Sequence, residues 1–506
     1  MMTKEDYLNE YKTHKSMRDN VKRDNYRLQY HLMPPTGFLN DPNGLFQKDG
    51  VYHIYFQYTP FTAGWGTKLW GHYTSKDMIN FNQEEPFLYP DISLDRDGVY
   101  SGSAFVEDET IHYFYTGNVK LTDREDYDYI NSGREQNTIH MTSKDGYKIS
   151  EKELILSNDD YPIDMSKHVR DPKIFKKNNY YYMVLGGRTS DNQGCVLLYK
   201  SKDLINFEYY NRIEVDDFGY MWECPDLFEL DGELFLVVCP QGISQRGYDY
   251  ANVYQTGYFK VDYDFDNNTY KISEFKELDR GFDIYAPQSF LDEKNRRIQY
   301  AWMGIPDAEY NNQPTVDYCW QHALTMPRVL SYKNNQIYQQ PLDEMKNLRL
   351  EKIVSNCKNI KQKDTVVYEM QVDFDKSQDF VLQIRDDVQL SYLNHVLSLS
   401  LKQSGYGRSI RAVELNEVNS LTIYSDTSSL EIFINDELTN VVKKIEHEKK
   451  NLLFFQDKSN NHFKLLSNTD NLYLDTEYIA KDIQLLKMIN QKRLSHNNIV
   501  SISFSF

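Results

Sequence analysis

Between residues 30 and 335 the apolar positions fall in short runs rich in Tyr, Phe, Val and Ile, among them VYHIYFQYT, IHYFYTGN, YYYMVLGG, ELFLVVC and IQYAWMG. Asp-Gly, Asn-Asn and Glu-Lys-Asn turns bound several of these runs, and a helical period is nearly absent. Aromatic and β-branched runs closed by turn residues predict hairpins. Beyond residue 340 the texture changes. PLDEMKNLRLEK reads as a short helical or linker stretch, and alternating strands such as TVVYEMQVDF, FVLQIRD, LSLSLK, SLTIYS and SLEIFIND follow it. That second pattern predicts an antiparallel β-sandwich of about 150 residues.

The hairpins of the first part repeat. A short polar or proline-containing opening, a Phe, a turn and an apolar strand recur from Asp41, Ser101, Asp171, Cys224 and Ala286. A second echo, SKDMINF at residues 75–81, returns as SKDLINF at residues 201–207. Units of about fifty or sixty residues, each four strands, predict a propeller with one blade per unit. The expected fold is therefore all-β: a five-bladed β-propeller followed by a C-terminal β-sandwich. The expected divisions are an N-terminal extension at 1–27, the propeller at 28–340, a linker at 341–350 and the sandwich at 351–506.

Composition narrows the function more than the fold. The chain has 506 residues, more than one hydrophobic core usually holds, and is 40% hydrophobic and 26% charged. Its formal charge of −18 disfavours nucleic acid and anionic membrane surfaces, which call for clustered Lys and Arg. The first twenty residues are charged throughout, without the apolar core of a signal peptide, and no run is long enough to span a bilayer. LFLVVC at 234–239 is at most a buried strand. Five scattered cysteines, Cys195, Cys224, Cys239, Cys319 and Cys357, show neither zinc spacing nor a disulfide framework. A cytoplasmic protein is the simplest expectation.

Three acids stand out: Asp41 in LNDPNG, Asp171 in RDPKIF and Glu223 in MWECPDLF. Proline removes a backbone donor, restricts the residue before it, and sits in sheets mainly at edges and strand starts. An isolated Asp-Pro is ordinarily a turn. Here Asp41 and Asp171 hold the same register in two repeats and Glu223 lies one residue earlier in its own, so equivalent repeats would converge them at one end of the channel. Two carboxylates in different environments are the basic equipment for cleaving a glycosidic bond. Asn40 and the Asn43-Gly44 amides are expected to keep Asp41 ionised, the apolar neighbours Met221, Trp222 and Cys224 to favour a protonated Glu223, and Arg170 to hold Asp171 ionised. Trp65, Trp70, Trp222 and Trp302 are candidates for stacking on a sugar, although most Trp are simply core. His53, His72 and His322 read as structural, with no metal-ligand spacing. No phosphate loop, dinucleotide fingerprint or nucleophile elbow calls for a cofactor. Cys224 has no His placed to activate it.

HLMPPTGFLNDPNG, WGHYTSKD, YSGSA, RDPKIF, GYMWECPDLF, YAPQSF and WQHALTMPR together resemble glycoside hydrolase family 32, the invertases, fructan hydrolases and bacterial sucrose-6-phosphate hydrolases. The resemblance runs from about residue 28 to 345, with SSLEIFIND extending it. It implies the same propeller and sandwich. It also implies that Asp41 is the nucleophile, Glu223 the general acid/base and Asp171 a transition-state stabiliser with Arg170 as companion. Asn40, Gln57, Trp65, Tyr100 and Ser101 would hold the fructose unit, with Trp302 as a further candidate. Phe38 stands where the family often has Trp, Phe81 and Phe207 likewise, and Lys68 stands where an apolar residue is usual. The implied activity is retaining hydrolysis of terminal β-D-fructofuranosides, sucrose 6-phosphate or sucrose, by a cytoplasmic enzyme with a small sugar as its partner. The alternatives are an exo-hydrolase or fructosyltransferase acting on fructans, and a non-catalytic sugar-binding propeller. For a phosphorylated substrate, Lys68 is the expected cation at the pocket mouth, against the plainer reading of a solvated surface lysine.

Overall fold

The structure, a computed structural model, describes residues 1–310, 312–354, 359–360, 366–374, 379–435, 451–455, 463–466, 475–476 and 499–505. Cys357 and much of the 351–506 region lie outside them. The fold is a β-propeller-like set of sheets followed by two larger sheets.

The repeats appear as five successive sheets. The first contains β1 (Gly37–Lys48), β2 (Val51–Thr59), β3 (Leu69–Ser75) and β4 (Phe81–Gln83). The second contains β5 (Val99–Glu107), β6 (Thr110–Lys120), β7 (Arg134–Ser143) and β8 (Glu153–Leu156). The third contains β9 (Met165–Lys177), β10 (Tyr180–Thr189), β11 (Gly194–Ser201) and β12 (Glu208–Glu214). The fourth contains β13 (Met221–Leu230), β14 (Glu233–Gln241), β15 (Gly257–Asp264) and β16 (Thr269–Ile272), with β17 (Lys276–Glu277) on β15. The fifth is formed by β18 (Ile284–Leu291), β19 (Arg297–Met303), β21 (Arg328–Lys333) and β22 (Gln336–Pro341), while the short β20 (Trp320–Gln321) pairs in parallel with β1. Each sheet's first strand lies against the first strand of the next, and β18 lies against β1. Sheet faces rich in Val, Leu, Tyr and Phe pack between neighbouring sheets.

One irregularity recurs in all five sheets and explains the prolines. In every first strand, two residues stand opposite one residue of the second strand: 40–41, 100–101, 171–172, 224–225 and 286–287. Such bulges bend a strand and re-aim its side chains. In the last three sheets the first bulged residue is left-handed, with φ of 64° at Asp171, 50° at Cys224 and 49° at Ala286, and each precedes a proline. The sequence reading expected a proline to keep its predecessor extended; here the extra residue of the bulge overrides that preference. A left-handed non-glycine residue costs on the order of 1–3 kcal/mol, and such strain collects where geometry serves function.

The Ser-Lys-Asp echo is a turn. The Asp77 and Asp203 carboxylates each accept from backbone amides two and three residues on, and Ser75 and Ser201 cap the same turns. Ser143 and Asp145 build a third copy, which the sequence reading missed.

The charged N-terminus is helical: α1 (Lys4–Thr13) and α2 (Lys15–Arg23). Thr3 caps α1, accepting from the Asp6 amide at 3.1 Å while Asp6 accepts from the Thr3 amide at 2.9 Å. Tyr7 packs on Phe61 and Tyr89, and Met17 and Val21 are buried, so the helices lie on the sheets rather than in solvent.

The stretch expected to be short helix or linker is a 3₁₀ turn, Asp343–Leu348, running into a strand at Arg349. The two sheets that follow have seven and six strands among the described residues. A buried ionic network ties them to the rest. His31 bonds Asp426 and Glu431, each at 2.9 Å, and Arg328 pairs with Glu431 at 2.6 Å and Asp279 at 3.1 Å. Burial opposes the imidazolium, but the hydrogen bonds and charges of Asp426 and Glu431 outweigh it and raise His31 to about 9 from 6.5. Replacing His31 by Ala takes the cation from buried Asp426 and leaves Glu431 with Arg328, and should cost about 3–5 kcal/mol. Because His31 is raised on folding, its contribution is full below pH 6.5 and fades as pH climbs through about 9. Denaturant midpoints of wild type and His31→Ala, measured from pH 6 to 10, should therefore converge on the alkaline side; a constant gap would refute the charged pair.

Candidate active site

The five bulges set side chains in two tiers at one mouth of the ring. One tier, Asn40, Tyr100, Arg170, Glu223 and Tyr285, lines a single cavity of about 720 Å³, within the range of small-molecule sites. The next position along supplies Asp41, Asp171 and Cys224 to the same cavity. The three acids predicted to converge do so. Gln57, Trp65 and Trp302 also line the cavity, whereas Ser101 reaches it through Asp41, to which it donates, and Gln57, from which it accepts. Trp70 and Trp222 are core: their indole N–H groups donate to Tyr100 O at 3.0 Å and Phe218 O at 2.7 Å.

Asp41 is held by side chains. Asn40 Nδ2 donates to its Oδ1 at 3.1 Å and to Gln57 Oε1 at 2.7 Å; Gln57 Nε2 approaches Oδ2 at 3.4 Å, and the Ser101 hydroxyl donates to Oδ2 in a short hydrogen bond. The expected Asn43-Gly44 donors play no part. The Asn43 side chain accepts instead from the Gly102 amide at 3.1 Å, stitching β1 to β5. Burial raises Asp41 above the ordinary carboxylate range; the Ser101 and Asn40 hydrogen bonds pull it back, the Glu223 charge pushes it up, and the Lys68 charge lowers it.

Glu223 is not in an apolar setting. Arg170 Nε donates to Oε1 at 3.1 Å, with Nη2 at 3.0 Å, while Gln241 Nε2 and Tyr285 Oη each donate to Oε2 at 2.7 Å. Of its apolar sequence neighbours only Trp222 turns into the core, while Met221 and Cys224 line the cavity beside it, so the polar partners on other strands set its environment. Arg170 also bonds Gln136 Oε1 at 3.1 Å, so its fork joins Glu223 and Gln136, and its hold on Asp171 is through charge alone. Asp171 accepts from the Cys224 amide at 2.9 Å and gives its own amide to Thr116 Oγ1 at 2.9 Å. Its burial raises it well above the usual range, Arg170 opposes this, and the charges of Glu223 and Asp41 add to it. Arg170 thus acts on Asp171 in the direction the sequence suggested, lowering it against the effect of burial.

Sequence reasoning missed Gln241 and Tyr285. Tyr285 was findable, since it precedes Ala286-Pro287 as Arg170 precedes Asp171-Pro172. Lys68 is neither at the rim nor solvated. It is 3% exposed, its amine 4.1 Å from the Phe38 ring centre and 4.7 Å from that of Trp65, with no hydrogen-bond partner. Burial lowers it to about 7, against the pull of Asp41.

This arrangement offers one buried carboxylate ringed by neutral donors, a second oriented by a cation and two neutral donors, and a third in the same cavity that feels the charge of both. That is the layout two-carboxylate glycoside chemistry needs. Residues 31–341 match the model of the glycosyl hydrolases family 32 N-terminal domain. A sucrose-6-phosphate hydrolase of Bacillus subtilis (strain 168) is 37% identical over 429 residues, 82% of this chain and 87% of that protein. One from Staphylococcus xylosus is 34% identical over 446 residues, covering 84% and 88%. Among solved structures, the sucrose-6-phosphate hydrolase of Lactobacillus gasseri superposes with a TM-score of 0.81 at 28% identity, covering 92% of this chain and 95% of that one. A Bombyx mori family 32 β-fructofuranosidase variant in complex with sucrose superposes at 0.72 with 26% identity, covering 91% and 96%.

Proposed function

The chain belongs to glycosyl hydrolase family 32, and on that premise we propose that it releases fructose from sucrose 6-phosphate or sucrose with Asp41 as nucleophile, Glu223 as acid/base and Asp171 as stabiliser. The observation that carries the reading is the convergence of those three carboxyls, from three different sheets, on one cavity.

Each residue then has a task. The Asp41 carboxylate attacks the anomeric carbon of the fructosyl unit, and its donors fix the attacking oxygen. Glu223, oriented by Arg170, Gln241 and Tyr285, gives a proton to the departing glycosidic oxygen and later takes one from water. Asp171 faces the charge that builds on the sugar ring between the two steps. Two displacements retain the configuration at the anomeric carbon. Fructose release from sucrose 6-phosphate, sucrose and inulin, compared as kcat/KM, tests the substrate: the two sucroses should exceed inulin, and the opposite order would move the enzyme to the fructan hydrolases.

Lys68 supplies a pH prediction. Its charge lowers Asp41, which must be ionised to attack. Lys68→Met removes that charge, so the acid limb of the kcat/KM profile for sucrose should move to higher pH. An acid limb that stays in place would show that Lys68 only fills space between Phe38 and Trp65.

A further inference from the structure

Two buried guanidinium groups among the described residues outside the cavity are matched by carboxylates. Arg328 pairs with Asp279 and Glu431, and Arg408 with Asp283. Inside the cavity Arg170 is matched by Glu223, but Arg134 is not matched. Arg134 is 7% exposed, yet it has no ion pair among the described residues, and its buried Nε has no hydrogen-bond partner. Its guanidinium lies over the Tyr129 ring, 4.3 Å from the centroid. Arg188, across the same cavity wall, lies 4.6 Å over Tyr220 and donates only to the amide oxygen of Asn192, with Nε at 3.0 Å. Lys120 is the cross-strand partner of Arg134 and completes the group.

A desolvated, unmatched cation is costly, and it is retained where an anion arrives to match it. The position says which anion. The cations come from β6, β7 and β10, beside Tyr100 and Arg170, and Arg170 grips Glu223. The leaving sugar departs on the side of the acid that protonates it, whereas Lys68, on the first sheet, stands on the side of Asp41. Of the nearby carboxylates, Asp97 accepts the Lys120 backbone amide at 2.7 Å and pairs with Arg96, while Asp307 accepts from Tyr254 at 2.7 Å; neither bonds a side chain of the cluster.

We propose that Arg134, with Arg188 and Lys120, forms a phosphate-monoester site for the leaving-group sugar, and that this site, not Lys68, selects phosphorylated over plain sucrose. It rests on the hydrolase reading above. It also explains how a chain of charge −18 would hold a dianion: unpaired local cations offset the repulsion at long range.

The test compares wild type, Arg134→Gln, Arg188→Gln and Arg134→Lys. The ratio of kcat/KM for sucrose 6-phosphate to that for sucrose should fall by about 10- to 100-fold in each Gln variant, the range for loss of a charge-assisted hydrogen bond. Arg134→Lys should fall less, since it keeps the charge and loses the fork. An unaltered ratio in both Gln variants overturns the proposal. Direct binding of glucose 6-phosphate, measured by calorimetry, separates this from the hydrolase reading because it needs no turnover. Weaker binding in Arg134→Gln than in wild type supports the site even if sucrose 6-phosphate is not cleaved, and equal binding in the two overturns it.

Discussion

Replacing Asp41 by Asn should lower kcat on sucrose by about 10⁵-fold or more, because loss of a nucleophile removes the route itself and not one contribution to it. The change is nearly isosteric and the surrounding donors are side chains with freedom to turn: Ser101 can accept where it now donates. The fold should therefore survive, and substrate should still bind, so the loss belongs in kcat with KM little affected. No variation of the leaving group should restore the rate. A variant retaining a hundredth of the wild-type kcat would remove Asp41 from the role of nucleophile.

Replacing Glu223 by Gln should cost less and cost it differently. General acid/base assistance is typically worth about 10² to 10⁴ in rate, so kcat on sucrose should fall into that interval. A fructoside whose leaving group needs no proton should be cleaved by this variant at close to the wild-type rate in the first step. The intermediate should then persist, since Glu223 is also the base that activates water, and azide, which needs no base, should accelerate its breakdown. The substitution also removes the carboxylate that Arg170 meets at 3.0 Å, so a lower unfolding midpoint should accompany the kinetic change. If a good leaving group rescued Asp41→Asn and Glu223→Gln equally, the two roles would have to be abandoned.

The sequence carried the periodic part of this molecule. Hairpins follow from aromatic and β-branched runs cut by turn residues, and a register shared by Asp41 and Asp171 follows from counting within the repeats. What depends on contacts across sheets was not legible. Asn40, expected to hold Asp41, does so, but the turn after it does not: β1 runs on to Lys48, and the other donors come from Gln57 and Ser101 on other strands. Glu223 looked apolar because its sequence neighbours are; its hydrogen-bond partners come from β9, β14 and β18, which no local reading reaches. The third Ser-Lys-Asp turn was hidden because only its first three residues match the echo, although Ser143 and Asp145 do the same work as Ser75 and Asp77. The N-terminal helices escaped because three buried side chains, Tyr7, Met17 and Val21, make too sparse a stripe to read as a period. Lys68 and Arg134 are invisible in a different sense. Nothing in a sequence shows that a cation is buried without a partner.

The most direct test of the account is to find where the sugar is attached. Glu223→Gln, mixed with a fructoside bearing a good leaving group, quenched in acid, digested and examined by mass spectrometry, should carry one fructosyl residue on the peptide containing Asp41, and the label should be absent in Asp41→Asn,Glu223→Gln. A label on the peptide containing Asp171 or Cys224, or release of fructose with inverted anomeric configuration and no label at all, would contradict it.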